Sequence, residues 1–163
     1  MSRTTEYLEA AADRVMIRDM LARYAWEVDH GTPEGFSAVF SENGVFEVVA
    51  LKVRVEGTEQ LTAFAADLQR TMPNLHHVMS NFVIDLSGDR ATGRCELNEF
   101  MALPDVIYPN VQGWYEDEYV FDGTSWRIQH RRNFFAPSAA GAQGPLAEYS
   151  AAFMEAAAKY QQT

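Results

Sequence analysis

The chain holds one cysteine, Cys95, in 163 residues. That excludes an intrachain disulfide and any metal cluster built on cysteine ligands. It is also short of cations: 13 Lys and Arg stand against 23 Asp and Glu, a formal charge of −10. Nucleic-acid phosphates bind clustered Lys and Arg. Basic residues gather once, in "RIQHRR" over 127–132, but that run reads as a strand, which sends alternate members to opposite faces and divides the cluster. A nucleic-acid partner is therefore not expected. No apolar run approaches the roughly 20 residues of a membrane span. The N-terminal "MSRTTEYLEAAADR" lacks the apolar middle of a secretory signal, so the expectation is a cytoplasmic protein with no membrane partner.

What is present is ordinary for a globular protein: 47% apolar and 22% charged residues. The length fits a single domain over 1–163 with a real core. Ile17, Leu21, Tyr24 and Val28 recur at three- and four-residue steps, which predicts a first helix from about residue 6 to 28. Thr32 followed by Pro33 is a hydroxyl cap and a first-turn proline, the start of a short second helix carrying Phe36, Val39 and Phe40 inward. "SENG" reads as a turn into two short strands, "VFEVVA" and "KVRVEG". A third helix opens at Gly57-Thr58, with Leu61, Phe64, Ala65 and Leu68 on one face, and ends at Met72-Pro73-Asn74.

From there the period changes to two. Strands are expected over 76–86 and 90–103 around the "SGD" turn, then, after "DVIYPN" loops over, a hairpin of 111–121 and 125–135 around "DGT". The tail, 137–163, is Ala-rich, and "GPLAEYSAAFMEAAAKY" fits a C-terminal helix serving as a lid or an oligomer contact. Helices first and antiparallel strands after means α+β, with the helices on one face of the sheet. A strongly curled sheet would enclose with them a cone, the kind of apolar cavity that hosts small ligands.

The segments "YAWEVDHGTPEGFSAVFSENGVFEV", "VEGTEQLTAF", "LHHVMSN" and "DGTSWRIQHRR", in that order, resemble the nuclear transport factor 2-like superfamily and, within it, the SnoaL-like branch. The likeness spans roughly 8–136. It implies a cone-shaped α+β barrel: a strongly curved mixed sheet with the three helices of the N-terminal half on its concave face. It also implies a homo-oligomer, dimer or trimer. The superfamily includes scytalone dehydratase, bile-acid dehydratase and hexachlorocyclohexane dehydrochlorinase. It also includes isomerases, polyketide cyclases and the non-catalytic small subunits of ring-hydroxylating dioxygenases.

By resemblance to the dehydratases and the dehydrochlorinase, Asp29 at the end of the first helix pairs with His77 on the first long strand, and Tyr24 stands five residues before the Asp. An imidazole is the natural base near neutral pH, and a carboxylate on its other nitrogen fixes the tautomer and stabilises the imidazolium. The expected activity is a cofactor-independent, metal-independent lyase. It would eliminate water or another leaving group from a small, mostly apolar cyclic substrate, with His77 as base, Asp29 as its orienter and Tyr24 as a polar anchor. Cyclase, isomerase and non-catalytic assembly subunit are the alternatives.

Other residues compete for the cavity. Strict alternation puts His76 rather than His77 in phase with Val78, Phe82 and Ile84; family parity implies a β-bulge near 78–81 that restores His77, leaving His76 beside it as a substrate contact. Trp114 and Tyr115 are adjacent, so one of them forms a cavity wall. Trp126, in the hairpin pattern, reads as structural. Arg132 shares a strand face with Trp126, Ile128 and His130, which makes it rather than Arg131 the expected cation for a substrate oxygen. Met101 stands where scytalone dehydratase has a second histidine, so a two-histidine mechanism is not expected, and Met101 becomes an apolar substrate contact. Glu96 and Asn98 face away from Met101, Glu47 is open to either face, and His30 is a solvent residue. Asp29 itself has a plainer reading, as a carboxylate capping the following turn.

Overall fold

The structure, a computed structural model, describes residues 2–135 and 144–162. Helix α1 runs Arg3–His30. The Ser2 hydroxyl caps it by accepting from the Thr5 N–H. Its buried stripe lies in the second half, at Ile17, Met20, Leu21, Tyr24 and Val28, while Tyr7, Leu8 and Val15 stand exposed. Helix α2 (Pro33–Ala38) begins as read, with Thr32 accepting from the Gly35 N–H at 3.0 Å and Pro33 in the first turn. Helix α3 (Gly57–Thr71) buries Leu61, Phe64 and Ala65, and Asn74, at φ 64°, turns the chain out of it.

Six strands follow the order β2-β1-β6-β5-β4-β3: β1 (Phe40–Val48), β2 (Val53–Glu56), β3 (Leu75–Ser87), β4 (Arg90–Leu103), β5 (Val106–Phe121) and β6 (Trp126–Phe135). β1 and β6 pair in parallel and every other pair is antiparallel. The result is the mixed, curved sheet expected, left open between its β2 and β3 edges. Two local readings differ. "SENG" does not turn the chain; residues 41–44 bulge within β1, between the Phe40–Ile128 and Val45–His130 pairs. "DVIYPN" does not loop over, because β5 already starts at Val106, and Pro109 lies opposite Phe100.

Three bulges in the long strands set which side chains face inward. β3 gains one residue against β4 between Ser80 and Val83, with Asn81 at φ 55°. β6 gains Gln129 between the Glu118–His130 and Tyr119–Ile128 pairs. β5 gains Asn110 between the Glu99–Val111 and Phe100–Pro109 pairs. An extra residue in one strand reverses the facing of everything beyond it. Hence Leu75 and His77 point inward before Asn81, and Phe82 and Ile84 after it. Likewise Trp126 and Ile128 point inward before Gln129, and Arg131 and Asn133 after it.

The core is aromatic where α1, α2 and α3 meet the sheet: Phe36 meets Tyr24, Phe40 and Phe46, and Phe46 meets Phe64. A smaller cluster of Met72, Leu75, Met101 and Leu146 lies beside it. Of the tail, residues 137–143 lie outside the described residues. Helix α4 (Ala147–Ala157) packs on α3, with Phe153 edge-on to Phe64. The turn after it is tied down: Tyr160 donates to the Asp67 carboxylate at 2.9 Å, Lys159 pairs with the same group at 2.7 Å, and the Gln162 N–H donates to the Lys52 carbonyl. Among the described residues, no helix is long and apolar enough to cross a membrane.

Candidate active site

A cavity of about 220 Å³ opens between the concave face, α3 and α4. It is small beside the roughly 300–1,000 Å³ of drug-sized sites. Its wall is mostly apolar, with Phe36, Phe46, Phe64 and Phe153 among the lining side chains. Its polar groups are Tyr24, His77, Glu99, Asn110, Tyr115, Asn133 and Ser150.

His77 has its side chain 4% exposed and lies between two carboxylates. Nδ1 is 2.6 Å from Asp29 Oδ1. The other Asp29 oxygen accepts from the His77 backbone N–H at 2.7 Å. Asp29 therefore holds both the strand and the ring, which a solvent carboxylate at a helix end would not do. Nε2 is 3.3 Å from Glu99 Oε1, and Glu99 Oε2 accepts from Asn110 Nδ2 at 3.1 Å. An imidazole facing an acceptor at each nitrogen donates to both only as the imidazolium. Burial works against that charge, but Glu99 and Asp29 together outweigh it and hold the ring up to about pKa 9.

Glu99 was not anticipated. It is 92% removed from solvent and continues the inward stripe of Cys95, Leu97 and Met101. A carboxylate in a buried stripe was the available signal. Asn110, brought to it by the β5 bulge, carries no such signal in the sequence.

Tyr24 and Tyr115 meet at the cavity wall with their hydroxyls 3.5 Å apart. Burial pushes the Tyr24 phenol up to about 12, against the lowering effect of Arg131. Tyr115 is driven well above its ordinary value by the same burial. Both are neutral donors. Behind them lies Arg131, fully buried, its guanidinium 4.1 Å from each ring centroid. It pairs bidentately with Asp117 at 2.8 and 2.7 Å, and Tyr119 donates to the same carboxylate at 2.7 Å. Burial opposes the Arg131 charge, but Asp117 raises its pKa well above the usual value.

Several expectations are corrected. Arg132 is not the pocket cation; the Gln129 bulge turns it outward, where it is 38% exposed and 3.7 Å from Glu116. Trp114 is not a cavity wall: it lies on the outer face, stacked on Phe134, and Tyr115 takes the inward place. His76 points away from the cavity and packs on His30, with ring centroids 5.2 Å apart. Met101 is fully buried in the cluster beside the cavity rather than lining it. Glu47 pairs with Arg54 and lies 3.3 Å from His130 Nε2. Trp126 is structural, its indole N–H donating to Asp13. Asn133, also unanticipated, reaches the cavity wall with its Oδ1 buried and unpaired among the described residues. Among the described residues, Asp29, His30 and His76 are a group with donors suited to a metal, bringing a ligand atom each within 4.8 Å of one another. Both Asp29 oxygens already accept from His77.

The model of the SnoaL-like domain family matches residues 9–132. No curated protein matches the sequence. Among solved structures, a protein of unknown function from Mycobacterium tuberculosis superposes with TM-score 0.85 at 21% identity, covering 100% of this chain and 97% of that one. A Novosphingobium aromaticivorans protein assigned as a scytalone dehydratase gives TM-score 0.68 at 19%, covering 78% of this chain and 86% of that one. One from the same organism, assigned as the beta subunit of an aromatic-ring-hydroxylating dioxygenase, gives 0.68 at 17%, covering 80% and 93%. At such identities the likeness is one of fold, which hosts many chemistries.

Proposed function

We propose that this chain, which belongs to the SnoaL-like domain family, is an acid–base lyase that needs no cofactor and dehydrates a small, mostly apolar cyclic substrate. The observation that carries this reading is His77 held between Asp29 and Glu99 at the wall of a cavity lined otherwise by aromatic and aliphatic side chains. A buried charge group opening onto an apolar cavity favours this reading over a non-catalytic assembly subunit.

The ring's charge refines the division of labour. With His77 already imidazolium near neutral pH, the Glu99 carboxylate takes the substrate's carbon-bound proton, and His77 Nε2 gives its proton to the departing hydroxyl, which leaves as water. The electron pair of the broken C–H bond becomes the new C=C bond. Proton transfer from Glu99 to His77 across their 3.3 Å contact restores the starting state. Asp29 holds the ring and stabilises its charge. Tyr24 and Tyr115 donate to the carbonyl oxygen on which negative charge develops, and Asn133 Oδ1 accepts from a substrate hydroxyl. Helix α4 closes the cavity as a lid through Phe153 and Met154, and the exposed Trp114–Phe134 stack is the face a second copy would cover.

The test is dehydration of a panel of cyclic β-hydroxy ketones, followed by mass, with wild type and His77→Ala. Loss of turnover in the variant supports the reading; equal turnover by both removes it.

A further inference from the structure

We infer that the cavity's ligand is an uncharged, oxygen-bearing ring compound, and that the site rejects carboxylates and phosphates of the same shape. This rests on reading the cavity as the substrate site and names the class of compound it admits.

The argument is a charge count at the wall. Two carboxylates, Asp29 and Glu99, share one imidazole, His77. Whether that ring is protonated or not, the group carries net negative charge. Neither arginine at this end of β6 is free to meet an anionic ligand. Arg131 sets its Nε and Nη2 on Asp117 and its Nη1 on Met79 Sδ, is fully buried, and is walled off by the Tyr24 and Tyr115 rings. Arg132 is outside the sheet. Among the described residues lining the cavity there is no Lys or Arg. An anion entering a mostly apolar space of about 220 Å³ would lose much of its water and meet Glu99 with no compensating Lys or Arg.

What the wall does offer is matched to neutral oxygen. Tyr24 and Tyr115 present two phenol hydroxyls 3.5 Å apart, and a carbonyl or hydroxyl oxygen accepts from either. A protonated amine has the favourable sign, but Glu99 already shares its charge with His77 and Asn110, and the ammonium would give up its water in a mostly apolar space.

The experiment is ligand-detected NMR at neutral pH on the whole chain, with matched probes: 2-naphthol and 2-tetralone as neutral rings, 2-naphthoate as the anion, 2-naphthylmethylamine as the cation. Affinity is measured by titration, so no turnover is needed, and a failed dehydration assay leaves this result intact. The expected outcome is that the neutral probes bind at least tenfold tighter than 2-naphthoate, with the ratio shrinking in Glu99→Gln because the anion gains affinity. Equal or tighter binding of 2-naphthoate overturns the inference. So does tightest binding by the amine, or no binding by any probe at millimolar concentration.

Discussion

Two buried charge groups face the same interior from neighbouring strands, and they are built for opposite ends. In the first, Arg131 and Asp117 are both fully buried, every guanidinium–carboxylate contact is short, and Tyr119 fills a further lone pair of the carboxylate. Two tyrosine rings cover it. It is closed in charge and in hydrogen bonding. In the second, His77 is shared by two acids, one at 2.6 Å and the other at 3.3 Å, and the looser side opens onto the cavity. Its charge is unbalanced and its proton has somewhere to go. A buried ion pair that is saturated is structural; one left a proton short of balance at a cavity wall is chemistry in waiting.

The largest effect expected from breaking this comparison is on stability, at the closed pair. Arg131→Met leaves Asp117 buried with no cation, and we expect a loss of about 3–5 kcal/mol, read by chemical denaturation. The double variant Arg131→Met with Asp117→Leu should recover most of it. A similar loss in single and double variants would mean that the guanidinium's packing between the rings, not its charge, is what matters.

Next comes the open group. The proposed roles predict that Glu99→Gln and His77→Ala each lower turnover by about 10²–10⁴-fold with much smaller changes in denaturation midpoint than Arg131→Met. If either were as destabilising as Arg131→Met while sparing turnover, the two groups would not differ in kind.

The contrast also separates what the sequence carries from what it does not. Tyr24 was legible as a buried helix position, in step with Leu21 and Val28 on α1, but its polar role and that of Asp29, five residues on and well around the helix, came from the resemblance. His77 needed the resemblance as well, since strict alternation favoured His76 until the extra residue at Asn81 was allowed for. Arg131 was misread for the same physical reason on β6, three places across the sheet: the Gln129 bulge reverses the phase, and neither Gln129 nor its neighbours announce it. Glu99 was visible as an acid among Cys95, Leu97 and Met101 but had no partner in the sequence to give it meaning. The fold survives such slips because helix stripes and strand order tolerate an error of one residue. The site does not, because each bulge moves a side chain from one face to the other.

A third effect is on pH dependence. The folded value of about 9 for His77 lies above the roughly 6.5 of an unfolded histidine, so its proton stabilises the fold. That contribution, about 3 kcal/mol from the size of the shift, is fully present below about pH 6.5. It is lost as pH rises through about 9. Denaturation midpoints across that window should fall in wild type and stay flatter in His77→Gln. Turnover should fall over the same alkaline limb, because the imidazolium is the proposed acid. Activity that instead rises toward pH 9 would return the base role to neutral His77.

The smallest effect is expected at the lid, whose anchor touches neither charge group. Asp67 on α3 holds the end of the tail through Tyr160 and Lys159, and both contacts are partly exposed, so each is worth little by itself. Tyr160→Phe removes one hydrogen bond and should cost about 1 kcal/mol or less in global stability. If α4 acts as a lid, the loosened anchor should show in binding before it shows in folding. The affinity for a neutral ring probe should fall a few-fold, while hydrogen exchange in α4 quickens and that of β4 and β5 does not change. Faster exchange with unaltered affinity would make the helix a fixed wall of the core, and the cavity's access would then lie elsewhere along its rim.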